Sequence, residues 1–310
     1  LKQQTNDVGR LQFMLEDYSM SLRDDLREII DRLKAMCKVF HYELKDPTET
    51  FLSSELLQLE AYIQELREIL LEPKDEDVSW IEIDKNGAEN AVYLYREPIN
   101  AGKTYVRALL EEKNTVVLIS AAFTINHDFD YMRKKLELSD DTIDFYQFPY
   151  NYPYGENIQL MIPNDLPAIQ YPSNDEFTYA ITEALLSLAT AKVHKKILVL
   201  FTSYDMLKKC YYLLKETELG SDYVMIGQGI TSGSRNRLIK QFQSFERAIL
   251  FGTNAFWEGI DLPGEDLTCL VIVKLPFQSP SQPLFKKKSV QAKLEGKSPF
   301  MEFSLPEAVL

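Results

Sequence analysis

The spacing of apolar residues divides the chain into a helical first part and a mixed second part. Between residues 11 and 42, large apolar side chains recur every three or four positions, and the same spacing returns between residues 51 and 71. Such spacing places the apolar residues on one face of a helix. Pro47 interrupts the pattern between the two segments, and Pro73 ends the second one. We therefore predict two amphipathic helices that pack on each other as an antiparallel hairpin.

From Val78 onward the apolar period shortens to two, and the chain then alternates between short apolar runs and helical patterns. The first such segments predict strands at 78–84 and 91–95, a helix near 102–112 and a short buried strand at 115–120. Further strands are predicted at 197–202, 223–226, 247–252 and 269–274, and further helices at 176–191, 204–216 and 233–244. Alternating strands and helices predict an α/β fold with a parallel sheet that is covered on both faces.

Charge is spread unevenly along the 310 residues, whose net charge is −13. Residues 1–90 hold 11 basic and 21 acidic side chains, and residues 91–310 hold 23 and 26. An acidic surface repels nucleic acid, so the first part is unsuited to phosphate binding. The second part has room for basic patches, and one candidate is the cluster Lys286, Lys287, Lys288, Lys293 and Lys297. A solvated helix surface is the simpler explanation of that cluster.

Cysteine and histidine are too sparse to indicate a metal site. The three cysteines and three histidines are scattered and show no metal-ligand or disulfide spacing. Free cysteines fit a reducing cytoplasm. No apolar run reaches the length of about 18 residues that a membrane helix requires, and no signal peptide is apparent. We expect a cytoplasmic protein without a metal ion of its own.

Two segments have the residue types of a phosphate site. Asn100-Ala-Gly-Lys-Thr104 ends like a phosphate-binding loop, but Glu97 stands where that loop needs its first glycine, so we interpret the segment as the start of a helix. The second segment follows the predicted strand 247–252. Ligands of parallel α/β sheets bind beyond the carboxyl ends of the strands, and Thr253 and Asn254 lie there with hydrogen-bonding side chains. An ordinary strand-to-helix loop is the competing interpretation.

The same segment carries the resemblance that makes an ordinary loop a poor explanation. Phe256-Trp-Glu-Gly-Ile-Asp-Leu-Pro-Gly264 closely resembles motif V of the superfamily 2 helicases of the XPD and DinG type. Ile197-Leu-Val-Leu-Phe-Thr-Ser203 resembles motif IV, Leu270–Pro280 resembles the segment after motif V, and Val116–Thr124 occupies the place of motif III. The motifs follow the family order over roughly residues 78–310. The chain most resembles the DinG proteins of Firmicutes.

The resemblance implies an architecture of two RecA-like domains with ATP between them and single-stranded DNA across both. Residues 1–77 would form an arch-like helical insertion, and residues 78–127 would end the first RecA-like domain. Residues 128–310 would make up most of the second one. The fold class is accordingly α/β, a RecA-like parallel sheet with an N-terminal all-α insertion.

Site roles are carried over from the family's motifs, residue by residue. The residues expected to bind DNA are Thr202, Ser203, Arg235, Thr253 and Asn254. Those expected near the nucleotide are Glu258, Gly259 and Asp261, and Ser120 of motif III would couple nucleotide to DNA. Phe256 and Trp257 either stack on a base or pack in the core. Motif III reads Ser120-Ala-Ala122 where the family has Ser-Ala-Thr, which puts efficient unwinding in doubt.

The residues that hydrolyse ATP in this family are not found in the sequence. The phosphate-binding lysine, the magnesium-binding acidic box and the motif VI arginine would precede residue 1 or follow residue 310 in a longer parent protein. We expect the parent to use ATP and magnesium, and this chain alone to bind neither and to have no catalytic residue. Its expected partners are single-stranded DNA, ATP and the missing first RecA-like domain, with no membrane.

Three functions remain open at this point. The parent is a DNA helicase of repair or replication, or the chain is a binding module that regulates an upstream 3'-5' exonuclease, as in Firmicute DinG relatives. The third possibility is a helical interaction scaffold built on residues 1–77. No Asp-x-Glu pair typical of such exonucleases occurs in the chain, so we expect no nuclease site in it.

Overall fold

A computed structural model describes residues 10–14, 17–43, 50–72, 74–84, 91–138, 143–148, 152–169 and 175–310. The strands found in these residues are β1 (Arg10–Met14), β2 (Asp77–Asp84), β3 (Val92–Pro98), β4 (Lys196–Leu200), β5 (Val224–Gly227), β6 (Ala248–Gly252) and β7 (Cys269–Ile272). The longer helices are α1 (Met20–Glu43), α2 (Thr50–Leu70) and α3 (Ala101–Glu112), then α4 (Asp130–Leu136), α6 (Asp175–Thr190), α7 (Tyr204–Lys215), α9 (Arg235–Ser244) and α10 (Pro283–Leu294). Short helices are α5 (Tyr154–Asn157), α8 (Leu219–Asp222) and α11 (Leu305–Val309).

The chain divides into two compact units. The first unit comprises Leu1–Phe148 and Phe277–Leu310, and the second comprises Pro149–Pro276. The domain boundaries predicted after residues 77 and 127 refer to a complete two-domain motor and stay predictions. No helix in the described ranges is long and apolar enough to cross a membrane.

The first unit is built on an antiparallel sheet in the order β1-β2-β3. Alternate residues of β2 face opposite sides of this sheet. Ile81 and Ile83 pack against apolar residues of α1 and α2, whereas Val78 and Trp80 belong to a second cluster that includes Leu284 of α10. The two helices also pack on each other through a buried cluster, which confirms their predicted association.

The start of the first helix was predicted wrongly. Residues 10–14 form β1 instead of helix and pair with β2 from Arg10↔Asp84 to Met14↔Trp80. The helix begins at Met20, where Ser19 Oγ accepts a hydrogen bond from the backbone N–H of Leu22 at 3.2 Å. A serine in this position satisfies one of the free N–H groups of a helix end, so it marks the boundary that apolar spacing alone missed.

The predicted strand at 115–120 was also wrong. Residues 115–120 have no strand pairing in the structure, and the side chains of Val117 and Ile119 are 75% and 89% exposed. A strand needs a neighbour for its backbone N–H and C=O groups. Among the described residues no strand pairs with this segment.

The second unit contains the parallel sheet, in the order β5-β6-β4-β7. Alternate side chains of β4 and β6 form two buried layers. Val199 and Phe251 pack with residues of α6 and α7 on one face, and Leu198 and Leu250 pack with residues of α9 on the other. The predicted α/β class with a covered parallel sheet is therefore confirmed.

Candidate nucleic-acid interface

Polar residues follow three neighbouring strands at one edge of the parallel sheet. Thr202 comes shortly after β4, Gln228 directly follows β5, and Thr253 directly follows β6. Two backbone hydrogen bonds hold the ends of these strands at the same level. The N–H of Phe201 donates to the carbonyl of Gly252 at 2.9 Å, and the N–H of Gln228 donates to the carbonyl of Phe251 at 3.0 Å. The carboxyl ends of these strands thus bring three polar side chains together at the place where α/β proteins bind ligands.

The side chains of Gln228 and Thr253 are hydrogen-bonded to each other. Gln228 Oε1 accepts from the backbone nitrogen of Thr253 at 2.8 Å and from Thr253 Oγ1 at 3.0 Å. Because both donors belong to one residue, the contact fixes the position of the first residue of the loop relative to the neighbouring strand.

Gly252 lets the loop turn sharply back over the sheet. A Cβ atom at this position would lie 2.6 Å from Cβ and 2.7 Å from Cγ of Phe256, closer than real Cβ contacts. Phe256 is only 2% exposed and packs in the layer that contains Leu238 and Phe242 of α9. Its ring is core, so of the two interpretations given for Phe256 only core packing agrees with its burial. Trp257 is half-buried, and its Nε1 has no hydrogen-bond partner in the described part of the chain.

Arg235, the first residue of α9, holds the far end of the loop. Its Nη2 donates to the carbonyl oxygens of Glu258 at 2.5 Å and Gly259 at 2.7 Å, and its guanidinium lies 5.9 Å from the ring centroid of Phe256. Gly259 has a φ of 64°, a conformation that favours glycine and that turns the chain beneath the guanidinium. The arginine therefore braces the loop through its backbone.

Helix α9 is anchored at its other end by a buried lysine. Lys196 is 5% exposed, and its Nζ donates to the carbonyl of Gln243 at 2.9 Å and to that of Phe242. Burial lowers the pKa of Lys196 below its usual value, and the charge of Asp266 partly opposes this shift. Positive charge at a helix C-terminus is favourable, so Lys196 secures the helix that presents Arg235.

The other predicted residues divide between this edge and the rest of the molecule. Asn254, Glu258 and Asp261 are exposed on the loop, and Thr202 is exposed after β4. Ser203 is the N-cap of α7 and accepts from the backbone nitrogen of Met206 at 3.5 Å, which gives it a structural task. Ser120 belongs to the first unit, follows none of these strands, and accepts from the backbone nitrogen of Ala122 at 3.1 Å.

Sequence reasoning gave no role to Gln228 or to the other cations of α9. Gln228 carried a signal, since a polar residue within two positions of the end of a predicted strand lies near the ligand-binding edge of a parallel sheet. Helix α9 has the sequence RNRLIKQFQS, with three basic residues and no acidic one, and Arg237 and Lys240 are exposed. Although the net charge is negative, this helix is a locally basic element beside the loop.

Known proteins match parts of this sequence. Residues 186–310 match the family of helicase C-terminal domains. The chain is 42% identical over 252 residues to a protein named 3'-5' exonuclease DinG from Bacillus subtilis (strain 168). The aligned residues cover 81% of this chain and 27% of that protein. It is 28% identical over 306 residues to the protein of the same name from Staphylococcus aureus (strain MRSA252). Here the aligned residues cover 98% of this chain and 33% of that protein.

The chain belongs to the DinG type of superfamily 2 helicase proteins. This confirms the family inferred from the motif V and motif IV segments. The chain spans about a third or less of the length of these DinG relatives. The activity of a whole DinG protein is therefore not a property of the described edge alone.

The DinG family implies ATP and magnesium in the longer protein, and the residues of this loop do not suffice to hold them. The two exposed side chains expected near the nucleotide, Glu258 and Asp261, are both carboxylates, which repel a triphosphate. Arg235, a cation that contacts this loop, already donates to the loop carbonyls. Among the described residues no three His, Cys, Asp or Glu side chains are grouped as metal ligands.

Proposed function

We propose that this chain binds the phosphate backbone of single-stranded DNA along the edge formed by the ends of β4, β5 and β6 and by the exposed face of α9. The observation that carries the proposal is the convergence of Thr202, Gln228 and Thr253 at one edge, next to the cations of α9. Phosphate contacts come from hydroxyl, amide and backbone N–H donors as well as from Arg and Lys. Of the predicted DNA-binding residues, Thr202 and Asn254 are exposed, and their side chains make no hydrogen bond among the described residues.

The remaining predicted residues act at the same edge in supporting roles. Ser203 caps α7, and Arg235 and Thr253 shape the loop that carries Asn254. In a longer DinG-type protein we propose that Glu258, Gly259 and Asp261 lie near ATP and that Ser120 couples the nucleotide to the strand. Residues 1–77 would then be the arch-like insertion, and a first RecA-like domain would complete the motor in DNA repair or replication.

Fluorescence anisotropy of a labelled single-stranded oligonucleotide, titrated with the full chain at several salt concentrations, tests the proposal. We expect binding that weakens with salt, with a slope of about −0.7 in log K against log salt for each phosphate paired with a cation. Changing Arg237→Gln and Lys240→Gln together should reduce the slope by about 1.4. Lys38→Gln, which removes an exposed charge from α1, serves as the matched control and should leave the slope unchanged.

Two outcomes would contradict the proposal. A folded chain that does not bind the oligonucleotide at low salt lacks the proposed activity. Binding whose salt slope is the same in the α9 double variant and in wild type would place the phosphate contacts elsewhere on the chain.

A second candidate function comes from the names of the relatives. Both DinG relatives described above are named 3'-5' exonucleases. In a longer nuclease, the same edge would hold the strand whose end is being degraded elsewhere in that protein. The α9 double variant of such a nuclease should then show a raised KM for single-stranded DNA with kcat retained, whereas a DNA-driven ATPase would lose its stimulation by DNA.

A further inference from the structure

The contact between Gln228 and Thr253 fixes the orientation of the glutamine carboxamide. The backbone N–H of Thr253 is only a donor, so the side-chain atom that lies 2.8 Å from it has to be the carboxamide oxygen. The orientation of an amide group is thereby assigned by the hydrogen-bond network rather than left open. The Nε2 group of Gln228 consequently points away from the Thr253 nitrogen.

The same contact consumes the hydroxyl proton of Thr253. A threonine hydroxyl has one proton to donate, and Oγ1 directs it to Gln228 Oε1 at 3.0 Å, because a carbonyl oxygen can only accept. In this conformation Thr253 has no proton left for a phosphate oxygen. Gln228 Nε2, in contrast, carries two N–H groups and has no hydrogen-bond partner among the described residues.

We propose that Gln228 donates through Nε2 to the phosphate backbone of the bound strand, and that Thr253 is the positioning residue that holds the carboxamide in place. This inference rests on the proposed function, since it names a donor within the same edge. Gln228 is half-buried between the ends of β5 and β6, so the carboxamide is held on a rigid element. A phosphate contact carries no base information, so the contact applies to any sequence of single-stranded nucleic acid.

The roles of the two residues can be separated by four substitutions. Gln228→Glu keeps an oxygen that accepts both hydrogen bonds from Thr253 and replaces the donor Nε2 by a second acceptor. Gln228→Met removes the donor without adding charge, and it also removes the oxygen that accepts from Thr253. Thr253→Val removes the hydroxyl and keeps the side-chain shape and the backbone N–H, so one of the two bonds to Gln228 remains. Thr253→Ser restores the hydroxyl.

Oligonucleotide affinity of these full-length variants tests the inference. We expect binding to weaken about tenfold or more in Gln228→Glu and about tenfold in Gln228→Met, because a hydrogen bond to a charged group is lost. Since the lost donor is neutral, the salt slope of Gln228→Met should equal that of wild type. Thr253→Val should weaken binding only about two- to threefold, and Thr253→Ser should bind like wild type.

These affinities distinguish a failure of the inference about Gln228 from a failure of the proposed DNA binding. If the wild-type chain does not bind the oligonucleotide, both the proposed function and the inference about Gln228 are wrong. If the wild-type chain binds, but Thr253→Val loses as much affinity as Gln228→Met or more, the hydroxyl is the donor and only the inference is overturned. The inference is also overturned if both Gln228 variants bind the oligonucleotide as tightly as the wild-type chain. Should one Gln228 variant fail to fold, as judged by circular dichroism, the other decides.

Discussion

Residues 116–119 and 197–200 are both runs of four branched aliphatic side chains, and their surroundings differ completely. The side chains of residues 197–200 are all at most 4% exposed, in a strand with neighbours on both sides. In residues 116–119, Val117 is 75% and Ile119 is 89% exposed, and no strand pairs with the run in the described part of the chain. Strand formation therefore depends on partners elsewhere in the chain as much as on local composition.

The difference extends to the polar residues that follow each run. Thr202 lies at the same edge of the sheet as Gln228 and Thr253, because β4, β5 and β6 end at the same level. Ser120 follows the other run and accepts a hydrogen bond from the backbone nitrogen of Ala122, two residues further along the chain. In this chain, the hydroxyl after an apolar run joins other polar side chains where several strands end together.

The largest change in the free energy of unfolding is expected for Phe251→Ala in β6, which tests whether the strands of the parallel sheet are closely packed. Phe251 is fully buried, with its ring centroid 5.5 Å from that of Tyr211 and 6.3 Å from that of Phe201. Removing the ring should lower the free energy of unfolding of the second unit by about 3–5 kcal/mol. Urea unfolding followed by Trp257 fluorescence in a Trp80→Phe background measures it. A loss of less than about 1 kcal/mol would mean that this layer is not closely packed.

An intermediate loss of stability is expected for Gly252→Ala at the end of the same strand. The added methyl group would meet Phe256 at 2.6 Å, so the loop has to shift. Overpacking of this kind should cost about 1–3 kcal/mol of the free energy of unfolding, and oligonucleotide binding should weaken because Thr253 and Asn254 move with the loop.

Gly220→Ala in α8 is the matched control, since a Cβ there meets nothing within 4 Å. It should leave both stability and binding close to wild type. Equal behaviour of the two alanine variants would show that the close approach of Gly252 and Phe256 is not required.

The smallest effect is expected for Ile119→Ser in the exposed run. Because this side chain is 89% exposed, its replacement should change the free energy of unfolding by no more than about 0.5 kcal/mol. Differential scanning calorimetry of the full chain checks this. A destabilisation comparable to that of Phe251→Ala would mean that residues 116–119 are buried like residues 197–200.

Much of the second unit was predictable because its signals are local. The four strands of the parallel sheet and helices α6, α7 and α9 start within two residues of their predicted positions, since short apolar runs alternate there with amphipathic segments. Strand β1 was missed because its pairing partner β2 lies more than sixty residues away in the sequence, and apolar spacing in a single window cannot show that partner.

The site was predictable in location but not in its contacts. The motif V segment indicated the right loop, and the residues after β4 and β6 lie at one edge. The bonds from Thr253 to Gln228 and from Arg235 to the loop carbonyls depend on β5 lying next to β6 and on where α9 begins. That strand order is a property of the folded sheet, so residue type alone suggested that Thr253 and Arg235 were free to bind DNA.

Hydrogen–deuterium exchange of the full chain, with and without a saturating single-stranded oligonucleotide, shows whether the edge formed by β4, β5 and β6 binds the strand. Bound DNA should slow exchange in peptides covering 226–229 and 252–259, while the exposed peptide 116–120 should exchange rapidly in both states. Unchanged exchange at 226–229 and 252–259, together with slower exchange elsewhere in the chain, would contradict the claim that the edge formed by β4, β5 and β6 binds the strand.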